Sequence, residues 1–325
     1  MGEPAGIAGE IAIKSWHAPD GRPVPAYCVI GDPDWLRAEA HRTKSHVHVV
    51  EVGSLAEAGK RFFEGLPVLP VRLATKPSPA TPDARNAKAV VASIEKAAAL
   101  ALSGEASGVV TNPIHKATLY GAGFKFPGHT EYLAELCGGA KPVMMLAIEG
   151  LRVVPVTVHL SLADACRALT TEAIVTAAAI AHEALKRDFG IAAPRLAVAA
   201  LNPHAGESGT LGLEEQTVIA PAVAELQKRG IDVKGPMPAD TLFHPAARAR
   251  YDAVICMYHD QALIPLKTLD FAGGVNVTLG LPIVRTSPDH GTAFDIAGQD
   301  KADPSSLLAA LRLADRLAKQ RATRV

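Results

Sequence analysis

The stretch AVICMYHDQALIPLKTLDFAGGVNVTLGLPIVRTSPDHGTAFDIAG, residues 253–298, sets the fold class of this chain. Ala253-Val254-Ile255-Cys256-Met257 is a short, uninterrupted apolar run, the pattern of a strand buried on both faces. His259 follows directly. In α/β proteins a side chain just past a strand end faces the crevice where ligands bind. Lys267, Asn276 and Arg285 then add two cations and an amide, a set able to grip a small anion. A potential metal ligand followed by anion-binding groups reads as an enzyme.

The same alternation extends outward. Tyr27 to Ile30, His46 to Val52 and Val68 to Leu73 read as strands. Ala84 to Leu102 reads as an amphipathic helix with Val90, Val91, Ile94 and Ala98 on its buried stripe. Gly108-Val109-Val110 is a strand running into the loop Thr111-Asn112-Pro113. Val143 to Ile148 and Leu151 to His159 flank Glu149-Gly150, which predicts a hairpin and so an antiparallel element in a mixed sheet. Thr170 to Arg187, Leu213 to Arg229 and Pro304 to Lys319 read as helices, and Pro194 to Leu201 as a strand. The pattern is α/β throughout.

Composition narrows the function. With 325 residues, 48% of them hydrophobic, the chain can bury a large core and is long enough for two lobes. Thirty-three basic residues balance 33 acidic ones, so there is no charge footprint for nucleic acid or an acidic membrane surface. Aromatics make up only 5%, which argues against stacking platforms for single strands. Cys28, Cys137, Cys166 and Cys256 show no pairing pattern and fit a reducing cytoplasm. No apolar run approaches the roughly 20 residues of a membrane span.

Of the twelve histidines, His17, His41, His46, His48, His182 and His244 sit in polar or amphipathic surroundings. His159, His204 and His259 share a different context: each comes at or just past the end of an apolar strand pattern. Two readings stand for them. A strand-end histidine is commonly a hydrogen-bonded structural residue, whereas three converging imidazoles suit zinc or another borderline divalent ion. The small-residue loop from Asn202-Pro203-His204-Ala205-Gly206-Glu207 through Gly209 and Gly212 to Glu214-Glu215 allows close backbone approach to a ligand. Gly128-His129-Thr130-Glu131 reads as a helix start, with Thr130 as cap and Glu131 in the first turn, a position that also attracts phosphate.

Several blocks resemble the 4-hydroxythreonine-4-phosphate dehydrogenase family: GEPAGI (2–7), TNPIHK (111–116), PGHTE (127–131), NPHAGE (202–207), PADTLF (238–243), MYHDQ (257–261) and GVNVTLGLPIVRTSPDHGTAFDIAG (274–298). DHGTAFDIAG and the N-terminal loop are also similar, more distantly, to the isocitrate and isopropylmalate dehydrogenases. The resemblance implies a two-lobed α/β fold with a mixed sheet and a cleft between lobes. The expected division is 1–127 with 286–325 for the lobe carrying the cofactor loop, and 128–285 for the lobe with the metal site and dimer interface.

It implies oxidation of the C3 hydroxyl of 4-phosphooxy-L-threonine by NAD or NADP, followed by decarboxylation to 3-amino-2-oxopropyl phosphate. It also implies one divalent ion (zinc, magnesium or cobalt) on His159, His204 and His259, shared between the subunits of a homodimer. Substrate contacts carry over to His129, Thr130, Lys267, Asn276 and Arg285. Asp240, Asp260 and Lys267 are the motif-derived candidates for the group accepting the hydroxyl proton.

No GxGxxG fingerprint follows a first strand. The resemblance instead assigns the cofactor to the loop of His290, Gly291 and Asp295, where the bland account of the glycine is a strand-to-helix turn. Two departures stand out. Ala8-Gly9 replaces the family's Gly-Pro, and the chain opens on the loop without the short strand that normally precedes it. A longer chain beginning with that strand is expected to be more stable. Two alternatives accompany this reading. One is a dehydrogenase of phosphorylated four-carbon sugar acids, such as threonate or erythronate 4-phosphate. The other is a non-catalytic protein that binds phosphorylated metabolites.

Overall fold

The computed structural model describes residues 1–323. Along them run the strands β1 (Val29–Gly31), β2 (Val49–Glu51), β3 (Leu66–Pro70), β4 (Val109–Val110), β5 (Val143–Ile148) and β6 (Leu151–Pro155). These are followed by β7 (Arg195–Ala199), β8 (Asp232–Met237), β9 (Ala253–Cys256), β10 (Val275–Leu279) and β11 (Arg285–Pro288). The chain divides into two compact units, Met1–Pro142 with Leu281–Ala318, and Val143–Gly280 with the chain end from Lys319.

In the first unit a parallel sheet in the order β1-β3-β2 pairs Val29 with Val68 and Val50 with Pro67. β11 lies parallel to β4, with Arg285 opposite Val109. The helix expected over 84–102 forms as a 3-10 turn, Ala84–Asn86, capped by Asp83, and then an α-helix, Ala87–Leu102. Its Val90, Ile94 and Ala98 are buried against Tyr132, Leu133 and Ala134 of the helix His129–Leu136. That packing, with the β4–β11 pair, places residues 128–142 and 281–285 in the first unit. The division falls after Pro142 and after Gly280, where 1–127 with 286–325 and 128–285 were the expected bounds.

The second unit holds six strands in the order β10-β5-β6-β9-β7-β8. β5 and β6 form the expected hairpin, with Ile148 opposite Leu151, and β10 adds to β5 in antiparallel register. β6, β9, β7 and β8 are parallel neighbours, so the sheet is mixed. Leu146, Val153, Ala197, Val254 and Cys256 form the core of this sheet under Leu263 and Leu266 of the helix His259–Leu269. The helical run expected over 213–229 is broken: a π-turn, Glu215–Ile219, precedes the helix Ala220–Lys228.

Two local expectations are corrected. β6 stops at Pro155 because the chain leaves the sheet through a bend in which His159 is left-handed (φ 50°). Gly128, and not Thr130, occupies the N-cap of its helix, and no side chain caps it; Glu131 does sit in the first turn. All four cysteines are unbridged. Among the described residues no helix is long and apolar enough to cross a membrane.

Candidate active site

In the second unit, three adjacent parallel strands deliver the three histidines to one sheet edge. β6, β9 and β7 are side by side, and His159, His259 and His204 each follow a carboxyl end. Buried polar side chains tie those ends together. Thr157 Oγ1 donates to the Met257 carbonyl at 2.8 Å, linking the ends of β6 and β9. Gln261 accepts from Met257 N and donates to the Ala200 carbonyl, both at 2.6 Å, linking β9 to β7.

The rings of His159 and His259 have centroids 5.9 Å apart. His259 Nδ1 lies 2.7 Å from Asp260 Oδ1. With Nδ1 donating to that carboxylate, Nε2 is left as an acceptor, the arrangement found in metal-binding histidines. His204 occupies the same edge on a loop of its own. Residues His204, Ala205, Gly206, Glu207 and Ser208 all have left-handed backbone, with φ between 43° and 75°. Each of the four that is not glycine carries roughly 1–2 kcal/mol of strain.

Among the described residues no three histidine, cysteine or carboxylate side chains are grouped closely enough to hold a metal ion. The donors suit a borderline divalent ion in kind, two imidazoles adjoin, and the third stands apart within one chain. An open groove of about 490 Å³ runs along the helix His259–Leu269, lined by His259, Asp260, Leu263, Ile264, Lys267 and Phe271 among others. It brings Lys267 and Asp260 onto one wall with His259. Asp240 lies exposed on the 3-10 turn Ala239–Thr241, beside the His204 loop. Asn276 is half-buried on β10, opposite Leu146.

In the first unit, Arg285 begins β11 and is 4% exposed. Its Nη2 donates to Thr111 Oγ1 at 2.7 Å. Burial pushes the guanidinium down to about 10, against which the Glu131 carboxylate acts. His129, at the start of its helix, is held well below the usual imidazole range, first by burial and then by the Arg285 charge. It is therefore neutral near pH 7, and its buried Nε2 has no hydrogen-bond partner among the described residues. Thr130 is half-buried in the same turn. A buried cation beside a neutral imidazole with hydrogen-bonding capacity to spare is suited to an anionic group.

His290, Gly291 and Asp295 lie on one irregular loop after β11, in the same unit. Ile7 N donates to the Thr292 carbonyl at 3.1 Å, so the N-terminal loop braces this segment, and His115 meets Phe294 edge-on at 5.0 Å. No helix begins directly after Gly291. A Cβ there would meet nothing within 4 Å, and its backbone is not left-handed. The turn alone does not account for the glycine, whereas close approach of a ligand to the backbone would.

Thr111, Thr157, Gln261 and Glu215 form the supports just described or brace the His204 loop, and residue type alone did not single them out. Thr111 and Gln261 lie inside the TNPIHK and MYHDQ blocks, so a signal existed for both.

Comparison with known proteins agrees over the whole chain. Residues 24–314 match the family model described as pyridoxal phosphate biosynthetic protein PdxA. The 4-hydroxythreonine-4-phosphate dehydrogenase of Caulobacter vibrioides is 55% identical over 98% of this chain and 96% of its own. The crystal structure of the enzyme of that name from Klebsiella pneumoniae superposes with a TM-score of 0.88 at 40% identity, covering 98% of both chains. A terephthalate 1,2-cis-dihydrodiol dehydrogenase from Burkholderia xenovorans shares the scaffold at 28% identity and a TM-score of 0.65, over 97% of this chain and 95% of that one. The chain belongs to the PdxA family, oxidoreductases of pyridoxal phosphate biosynthesis that work with a nicotinamide cofactor.

Proposed function

We propose that this chain oxidises 4-phosphooxy-L-threonine at its C3 hydroxyl with NAD or NADP. Hydride passes from C3 to the nicotinamide and the hydroxyl proton passes to a base. The resulting β-keto acid loses carbon dioxide to give 3-amino-2-oxopropyl phosphate. The observation that carries this reading is the buried Arg285, held by Thr111 beside a neutral His129, in a chain 55% identical to a protein of that name. A guanidinium that burial weakens gains from an incoming phosphate or carboxylate, and the imidazole adds a hydrogen bond.

His129, Thr130, Lys267, Asn276 and Arg285 are the substrate contacts in this reading. Lys267, Asp260 and Asp240 are the candidate proton acceptors, the first two already sharing a groove wall with His259. His290, Gly291 and Asp295 meet the cofactor, and the unexplained glycine supports this. His159, His204 and His259 hold one divalent ion (zinc, magnesium or cobalt), with the set completed between two copies of the chain. Exposed Ile264 (63%) and Phe271 (79%), which line one groove with His259, support such an association. Bound there, a divalent ion would supply Lewis acidity toward the substrate hydroxyl. The balanced charge and unbridged thiols fit work in the cytoplasm.

The Burkholderia xenovorans neighbour carries a different substrate in its name on the same scaffold, which keeps the sugar-acid phosphates as a second reading. NADH formation with 4-phosphooxy-L-threonine and with erythronate 4-phosphate separates the two. The proposal expects the larger kcat/KM for the amino acid, with loss of turnover under a chelator. A preference for erythronate 4-phosphate contradicts it.

A further inference from the structure

The left-handed run at His204–Ser208 needs something to impose it, because four residues with a Cβ do not adopt that backbone unaided. The surroundings identify what does. Glu215, the first residue of the π-turn, is 3% exposed. Its Oε1 accepts from Leu201 N at 2.9 Å and Asn202 N at 2.7 Å. Oε2 accepts from Asn202 Nδ2 at 3.0 Å, and Glu214 takes the other hydrogen of that amide at 2.7 Å. The two backbone donors are those immediately before Pro203 and His204, so the carboxylate fixes the point at which the chain enters the left-handed run. Gly206 passes so close that a Cβ would lie 2.6 Å from Glu215 Oε2. The loop is wrapped around this one buried carboxylate.

We infer that Glu215 is a positioning residue: it holds the Asn202–Ser208 backbone in its left-handed form and so sets the direction in which His204 is presented. Buried side-chain oxygens need hydrogen-bond partners, and here the loop's own backbone and Asn202 supply them to both oxygens of Glu215. Carboxylate and loop therefore specify each other. The π-turn fits this role, since the extra residue it inserts before Ala220–Lys228 displaces the start of the helical segment that carries Glu215.

The inference rests on His204 being a metal ligand, and the test keeps the two apart. Cobalt(II) binding to the full chain is measured by calorimetry and by the visible spectrum of the bound ion. Backbone hydrogen exchange at Leu201 and Asn202 is followed in the same samples. The variants are E215A, E215Q, H204A and, as an equally buried control, D188N, whose carboxylate pairs with Arg187 and Arg321 away from the loop. E215A is expected to weaken cobalt binding about 10–100-fold, to change the spectrum and to speed exchange at both amides. E215Q keeps one acceptor oxygen and should fall in between, and D188N should lower the melting temperature without moving the spectrum. Wild-type exchange at Leu201 and Asn202 in E215A, or equal cobalt effects in D188N, overturns the positioning role. If E215A does not fold, E215Q decides by the same readouts. Unchanged cobalt binding in H204A overturns the metal assignment instead, and the exchange data then judge the inference alone.

Discussion

The anion-binding cluster of the first unit and the histidine edge of the second are built on opposite plans. Arg285 and Thr111 come from the start of a paired strand and the loop after its neighbour, and His129 from the first turn of a helix packed into the core. Their backbone is ordinary and their side chains are largely buried. Of the three histidines, His159 and His204 are exposed and left-handed, on loops beyond their strands, and only His259 starts a regular helix. The first plan stores its cost in a desolvated charge, and the second in backbone strain. A desolvated charge is relieved when an anion arrives; a strained loop keeps a ligand aimed before anything arrives.

The largest expected effect lies in the buried charge. Replacing Arg285→Gln removes a desolvated, hydrogen-bonded cation, for which losses of about 2–5 kcal/mol are typical. That corresponds to roughly 30- to several-thousand-fold in kcat/KM, and steady-state kinetics would read it. A loss below about tenfold would mean that Arg285 only braces Thr111. The same substitution removes the charge that helps hold His129 neutral, so its imidazole should titrate closer to the ordinary range in a histidine NMR titration.

A smaller effect concerns stability against pH. His129 in the folded chain lies well below its unfolded value of about 6.5, through burial and then Arg285. Above about 6.5 both states are neutral there and the group contributes no pH dependence. Below it the unfolded chain takes up a proton that the folded chain refuses, so stability falls as pH drops toward the folded value. Unfolding free energies from urea titrations at pH 7.5 and 5.5 should therefore differ more in the wild type than in H129N, by on the order of 1 kcal/mol. Equal differences would place His129 in contact with solvent.

The contrast between the two regions also explains what the sequence could reveal. Strands, the hairpin at Glu149-Gly150 and the strand-end positions of the histidines follow from apolar runs and turn residues, which act locally. The Thr111–Arg285 bond joins residues 174 apart, and the Gln261–Ala200 bond residues 61 apart; no local pattern encodes either. The left-handed run at 204–208 was hidden for another reason. Four of its five residues, His204, Ala205, Glu207 and Ser208, carry a Cβ that disfavours that backbone, and the tertiary contact to Glu215 overrides their preference. At Thr130 the capping preference of the residue type lost to Gly128, two residues earlier than expected.

The smallest expected change is at Gly291. Since a Cβ meets nothing there, Gly291→Ala should leave the melting temperature within the range of an ordinary surface substitution, about 0.5 kcal/mol. Its consequence should appear only in KM for the nicotinamide cofactor, raised several-fold. An unchanged cofactor KM would remove this loop from the cofactor site.

The most direct test of the three-histidine assignment is an anomalous difference map from crystals of the full chain grown with cobalt(II), collected on either side of the metal edge. One peak within coordination distance of imidazole nitrogens from His159, His204 and His259, counting both copies of a dimer, is the predicted result. No peak at that edge, or a peak held by other residues, would contradict the account.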